Sequence, residues 1–167
     1  MSEPSPTPQP AAPPPPRTSP ITLLRQYLKD LSFESPNAIE VLSAGESPSG
    51  AMHVDVRARG IEDGTFEVSL VIRAEAKYTK GTAYLVEIEY ASHVAIGEVP
   101  REAVEPLLMV EAPRLMFPYA RAILTAVTGD GGFAPLMIQP IDFAALYRDY
   151  RKRMSQAAPA GAVTGAA

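Results

Sequence analysis

The sequence predicts an α+β fold, with an antiparallel sheet from the first half of the chain and helices from the second half packed on one of its faces. Two observations predict it. Apolar and polar residues alternate with period two between Met52 and Tyr90, and the period changes to 3.6 from Leu115 onward. A third observation bounds the fold. Nine of the 18 prolines lie in the first twenty of 167 residues, so the proline excess belongs to a tail. With 46% hydrophobic and 20% charged residues and a mean hydropathy of −0.01, the rest has the make-up of one ordinary globular domain.

The elements follow in order. Residues 1–20 lack the apolar side chains that would offset the entropy of ordering, and read as a disordered, partly polyproline arm. Extended at about 3.1 Å per residue, that arm would reach on the order of 60 Å. Residues 21–154 form the domain, and the uncharged Ala- and Gly-rich 155–167 a flexible tail. Residues 21–34 fit either a helix (Leu24, Tyr27, Leu28, Leu31) or a strand (Ile21, Leu23, Tyr27, Leu31, Phe33), and Pro36 stops both. Met52, Val54, Val56 and Ala58 alternate with polar residues as a half-buried strand, followed by a turn at Asp63-Gly64. From Phe66 to Tyr78 a second strand alternates with Val71 as its one exception. After Lys80-Gly81, a third strand puts Tyr84, Val86, Ile88 and Tyr90 on one side and Leu85, Glu87 and Glu89 on the other. Leu115, Tyr119, Ile123 and Val127 make a helical stripe, with Pro118 expected in its first turn and Gly129 ending it. A loop over 131–140 leads to Asp142, the cap of a last helix whose stripe is Phe143, Leu146, Tyr147, Tyr150 and Met154.

Charge narrows the function. The chain carries net −4, but four bases cluster at 148–153, and residues 21–147 hold ten basic against seventeen acidic side chains, net −7. Such a body repels nucleic acid and anionic headgroups. There is no cysteine, no signal-like N-terminus, and no strongly apolar run longer than Leu107–Val110, so neither export nor membrane spanning is expected and the cytoplasm is the default. His53 and His93 stand alone, without partners at metal-ligand spacing, and no nucleophile elbow, phosphate loop or zinc-binding helix is present. The expectation is a non-enzyme without cofactor or metal. What stands out is apolar surplus. Tyr84, Val86, Ile88 and Tyr90 are candidates for an oligomer contact, and Phe133, Leu136, Met137 and Ile138 for a binding groove, unless that loop simply packs on the sheet.

Three segments carry a resemblance: Phe117–Arg121 reads F-P-Y-A-R, Lys29–Ala38 reads K-D-L-S-F-E-S-P-N-A, and Thr82–Glu87 reads T-A-Y-L-V-E. Gly132-Phe133, Pro140 and the run I-D-F-A-A-L at Ile141–Leu146 extend it. Over about Tyr27 to Tyr150 the chain resembles the SecB family of bacterial export chaperones. The resemblance implies a four-stranded antiparallel sheet with two C-terminal helices on one face, and makes 21–34 a strand. It implies a homotetramer, a dimer of dimers, that keeps unfolded precursor proteins from folding until they reach the translocase motor SecA. By position, Met52, Val54, Val56, Phe133, Leu136, Ile138, Phe143 and Leu146 match the client groove. Asp30, Glu34, Leu85 and Glu87 match the acidic patch that receives the motor's zinc-bearing tail, the zinc belonging to the partner. Val86, Ile88 and Tyr90 match the dimer-dimer contact. The chain departs from the family in having Val86 where a cysteine is usual, in the shift of the loop proline to Pro135, and in its proline arm and basic last helix. Two other readings stand beside this one: a general holdase for clients that are not exported, and a small-molecule or enzymatic α+β domain. Asp30, Glu34 and Glu87 together favour the export chaperone over the first, and grooves sized for a chain favour it over the second.

Overall fold

The structure, a computed structural model, describes residues 19–157 except 46–48, 63 and 80. The arm expected over 1–20 (save Ser19 and Pro20), the tail beyond Ala157, and Asp63 and Lys80 of the expected turns therefore lie outside the described residues.

Four strands form one antiparallel sheet in the order β1-β4-β3-β2: β1 (Ile21–Glu34), β2 (Ser49–Glu62), β3 (Thr65–Tyr78) and β4 (Gly81–Ile96). A short helix α1 (Ala38–Ala44) links β1 to β2. The remaining helices are α2 (Arg101–Pro106), a π-helical segment Leu107–Glu111, α3 (Ala112–Asp130) and α4 (Phe143–Ala157).

Segment 21–34 is a strand, and its ambiguous pattern has a physical cause. Register shifts after Leu23 and Leu28 each insert a residue, so the positions opposite the buried side of β4 are 21, 23, 26, 28, 31 and 33. Two bulges thus stretch a period of two toward a helical one. Val71, the exception in β3, lies on the opposite sheet face beside Asp55 and Glu89 and is nevertheless buried.

On the inner face, Val68, Leu70 and Ile72 of β3 and Val86 and Ile88 of β4 pack beneath α3, which buries Ala112, Met116, Ala120 and Leu124. This corrects the stripe expected from sequence. Leu115 and Tyr119 are 47% and 53% exposed, whereas the face bearing two alanines lies on the sheet, because small side chains let the helix axis come close. The helical region also starts at Arg101, well before the stripe, which leaves Pro118 in the interior of α3 rather than its first turn. Pro118 is exposed, so the carbonyl that loses its donor there faces water. The helix ends at Gly131 and Gly132, not Gly129: Gly132 takes φ 86°, open to glycine alone at little strain, and its N–H donates to Gly129 O at 2.9 Å. Asp142 caps α4 as expected, its Oδ1 accepting from Ala145 N–H at 2.9 Å.

Candidate functional site

The sheet presents two unlike faces, and each holds one group of the residues singled out from sequence. On the inner side, at the β2 edge, a groove of about 510 Å³ runs between Gly50–Met52 of β2 and the loop Leu136–Ile141. The loop is anchored by two hydroxyls of α3. Thr125 Oγ1 donates to Leu136 O at 2.9 Å, and Leu136 N–H donates to Thr128 Oγ1 at 2.9 Å while that hydroxyl donates to Leu124 O. With Leu136 held at both backbone groups and Ile138 buried, the side chain between them, Met137, stands 71% exposed at the groove. Further along, Val54, Val56 and Leu146 line a narrow cleft of about 40 Å³ with Met109 and Tyr147. β2 pairs only with β3 among the described residues, so the strand beside both cavities keeps one edge of backbone N–H and C=O groups free of a neighbouring strand.

Of the eight expected groove residues, Met52, Leu136 and Ile138 share the large cavity and Val54, Val56 and Leu146 the cleft. Phe133 and Phe143 do not belong to the surface. Phe133 is buried, with its ring 5.0 Å from Tyr84 and 6.3 Å from Phe33, and Phe143 is buried edge-on to Phe117 at 6.0 Å. Their rings carry the most apolar area in the segment, and the layer between sheet and helices takes them. Met137, Pro140 and Ile141 complete the wall; in the sequence Met137 is marked as an apolar side chain on a loop, and Pro140 and Ile141 only as part of the family resemblance.

The three residues expected at a dimer-dimer contact are corrected by burial. Val86, Ile88 and Tyr90 are 2%, 0% and 8% exposed, on the sheet face covered by α3, so the monomer's own core takes their side chains. Alternation shows that they share a face but leaves open whether a partner chain or a helix of the same chain covers it.

On the outer side the strands align in cross-strand rows. Glu34, Leu85, Glu75 and Ala51 form one row, Ser32, Glu87, Arg73 and His53 the next, and Asp30, Glu89, Val71 and Asp55 the third. The first two rows line a depression of about 440 Å³ around the exposed Leu85. Glu34, Leu85 and Glu87 are therefore brought together. Asp30 shares their face but lies outside the depression, about 13 Å from Glu34 along the strand. Glu87 is held by Arg73 in a two-pronged pair at 2.6 and 2.9 Å, which pulls its carboxyl below the usual range. Glu75, Ser32 and His53 belong to the site through register alone, which no local pattern reveals.

Beyond these rows Glu67, 5% exposed, accepts from Tyr27 Oη at 2.6 Å and from Arg59 Nε, with Lys29 Nζ at 3.4 Å. The Tyr27 hydroxyl first and the Arg59 guanidinium second hold its carboxyl down at about 2. Lys29 also reaches Glu89 at 3.0 Å, so the outer face of all four strands is cross-tied. Among the described residues no three His, Asp or Glu side chains gather as a metal site, and no helix is long and apolar enough to cross a membrane.

The family model for preprotein translocase subunit SecB matches residues 16–154. The chain belongs to the SecB family. It is 46% identical to the protein-export protein SecB of Rhodospirillum rubrum over 84% of this chain and 88% of that one. It is 41% identical to the SecB of Maricaulis maris, covering 87% and 85%, and 45% identical to that of Parvibaculum lavamentivorans, covering 84% of each. Among solved structures it shares the fold of a Mycobacterium tuberculosis SecB-like chaperone in complex with a peptide from an antitoxin, at TM-score 0.61 and 12% identity over 72% of this chain and 90% of that one. Four antiparallel strands with helices on one face are thus the SecB architecture, and protein-export chaperone is the family's role.

Proposed function

We propose that this chain is a cytoplasmic export chaperone that binds unfolded precursor segments on the inner, β2 side of the sheet and docks on the motor SecA through the acidic depression of the outer side. One observation carries the reading: the apolar groove and the acidic depression lie on opposite faces of a single sheet, so client and motor need not compete. A chaperone for many sequences needs contacts that do not depend on one side-chain pattern. The free edge of β2 offers backbone hydrogen bonds, and the methionines Met52 and Met137 offer apolar walls that adapt in shape. None of this requires a catalytic group. A general holdase would keep the groove but have no use for Glu34, Leu85, Glu75 and Glu87 around one depression.

Assembly as a dimer of dimers would use the exposed apolar face of α3, where Leu115 and Tyr119 stand beside the exposed Ala122 and Ala126. The client reading is tested by the spontaneous refolding of a reduced, unfolded precursor with and without the protein. Wild type should arrest it. Met52→Lys with Met137→Asp, both at exposed positions, should lose most of the arrest while the thermal midpoint is kept. Undiminished arrest would remove the groove assignment.

A further inference from the structure

We propose that the outer sheet face carries a second docking subsite of opposite charge, which takes a carboxylate-rich peptide segment of the partner whose basic segment occupies the acidic depression. This rests on the acidic depression being a docking site. Beyond the row of Asp30 and Glu89, the next two rows run Tyr27, Ala91, Ser69, Arg57 and Arg25, His93, Glu67, Arg59. They bring Arg25 on β1 and Arg57 and Arg59 on β2 to the same face, with Lys29 between them. Lys29, Arg57 and Arg59 line a depression of about 380 Å³ together with Ser69 and the carboxylates Glu67 and Glu89, three cations to two anions.

The carboxylates at this end are already engaged. Glu67 holds Tyr27, Arg59 and Lys29, and Glu89 holds Lys29 and the Ser69 hydroxyl. The cations are not exhausted. Arg57 and Arg59 use their Nε atoms, on Asp55 and Glu67, while both remain well exposed, and Arg25 has no acidic partner among the described residues. A guanidinium fork is suited to gripping a carboxylate.

The centres of the two depressions, near Leu85 and near Ala91, lie six steps apart along β4, about 20 Å. That exceeds a screening length of about 8 Å at physiological salt, so each depression acts with its own sign. A long polyanion or a flat anionic bilayer laid over the arginines would run onto Glu87, Glu75 and Glu34, and the acidic body would repel it. A peptide with a cationic block and an acidic block, spaced by about six extended residues, satisfies both ends.

Three fluorescent peptides test this on the full chain by anisotropy at physiological salt: four lysines around a leucine, followed by a six-residue Gly-Ser spacer and then either four aspartates or four serines, and the four aspartates alone. The aspartate block should tighten binding about fivefold to twentyfold over the serine block, and the lone aspartate peptide should bind weakly. Arg25→Glu with Arg57→Glu should abolish both effects and leave the serine-block peptide within about twofold of wild type. Arg25→Gln with Arg57→Gln serves if the charge reversal lowers the thermal midpoint. Equal affinity of the two block peptides for wild type, or a gain that survives in the variants, overturns the proposal. So does an RNA oligonucleotide that binds the same arginines more tightly than the aspartates do. If the lysine block contributes nothing while the aspartate peptide still binds, it is the acidic depression that fails.

Discussion

Glu67 shows how much one side chain on an uncovered sheet face can hold. Its carboxylate joins Tyr27 of β1, Arg59 of β2 and Lys29 of β1 across the sheet from its own place on β3. Because its folded carboxyl sits at about 2 against an ordinary 4.5, the unfolded chain takes up the proton first as pH falls. The stabilisation is therefore complete above about pH 4.5 and is lost toward pH 2. Urea midpoints measured from pH 6 to pH 2.5 should fall steeply in that window, and the fall should be shallower for Glu67→Gln. A parallel pH dependence in the two proteins would show that other carboxylates set the acid limb. Gly131 matters for a different reason. A Cβ there would lie 2.7 Å from Phe33 Cε1, and moving that half-buried ring aside would break its stacking on Tyr84 at 5.7 Å. Gly131→Ala should destabilise by about 1–3 kcal/mol, read as a lower urea midpoint.

Among the elements, α3 has two apolar stripes with different fates. The stripe of Ala112, Met116, Ala120 and Leu124 closes the core over β3 and β4, while that of Leu115 and Tyr119 faces out. Substitutions on the two sides of this helix should separate folding from assembly. Ile88→Asp, beneath α3 and fully buried, should prevent the monomer from folding, because no partner is in reach of the charge. Leu115→Asp with Tyr119→Asp should leave circular dichroism unchanged and convert tetramers to dimers in sedimentation. A tetramer that persists in the second variant would move the contact away from α3.

For the whole molecule, the sheet acts as a partition. Motor binding should depend on the outer face alone, and within it on the depression more than on Asp30, which lies outside. In calorimetric titration of the motor's C-terminal tail, Glu34→Lys should weaken affinity strongly at low salt and less at high salt, Asp30→Lys should have the smaller effect, and neither should change client arrest. Equal affinities for wild type and Glu34→Lys would reject the acidic docking site and favour the general holdase.

The alternation in 52–90 and the 3.6 period near the C-terminus were enough to determine the α+β class, β3 almost to the residue, the cap at Asp142, and that Leu85, Glu87 and Glu89 share a sheet face. These are local properties, since side-chain direction repeats along a strand or helix whatever lies across from it. Whether Val86, Ile88 and Tyr90 meet a helix or another chain, which stripe of α3 packs, that Phe133 and Phe143 are core while Met137 is surface, and that Glu75 joins Leu85 were decided only in the folded molecule. Each depends on which element covers which face and in what register, and that choice is made by packing between segments distant in sequence, where close approach and filled volume outweigh any local pattern.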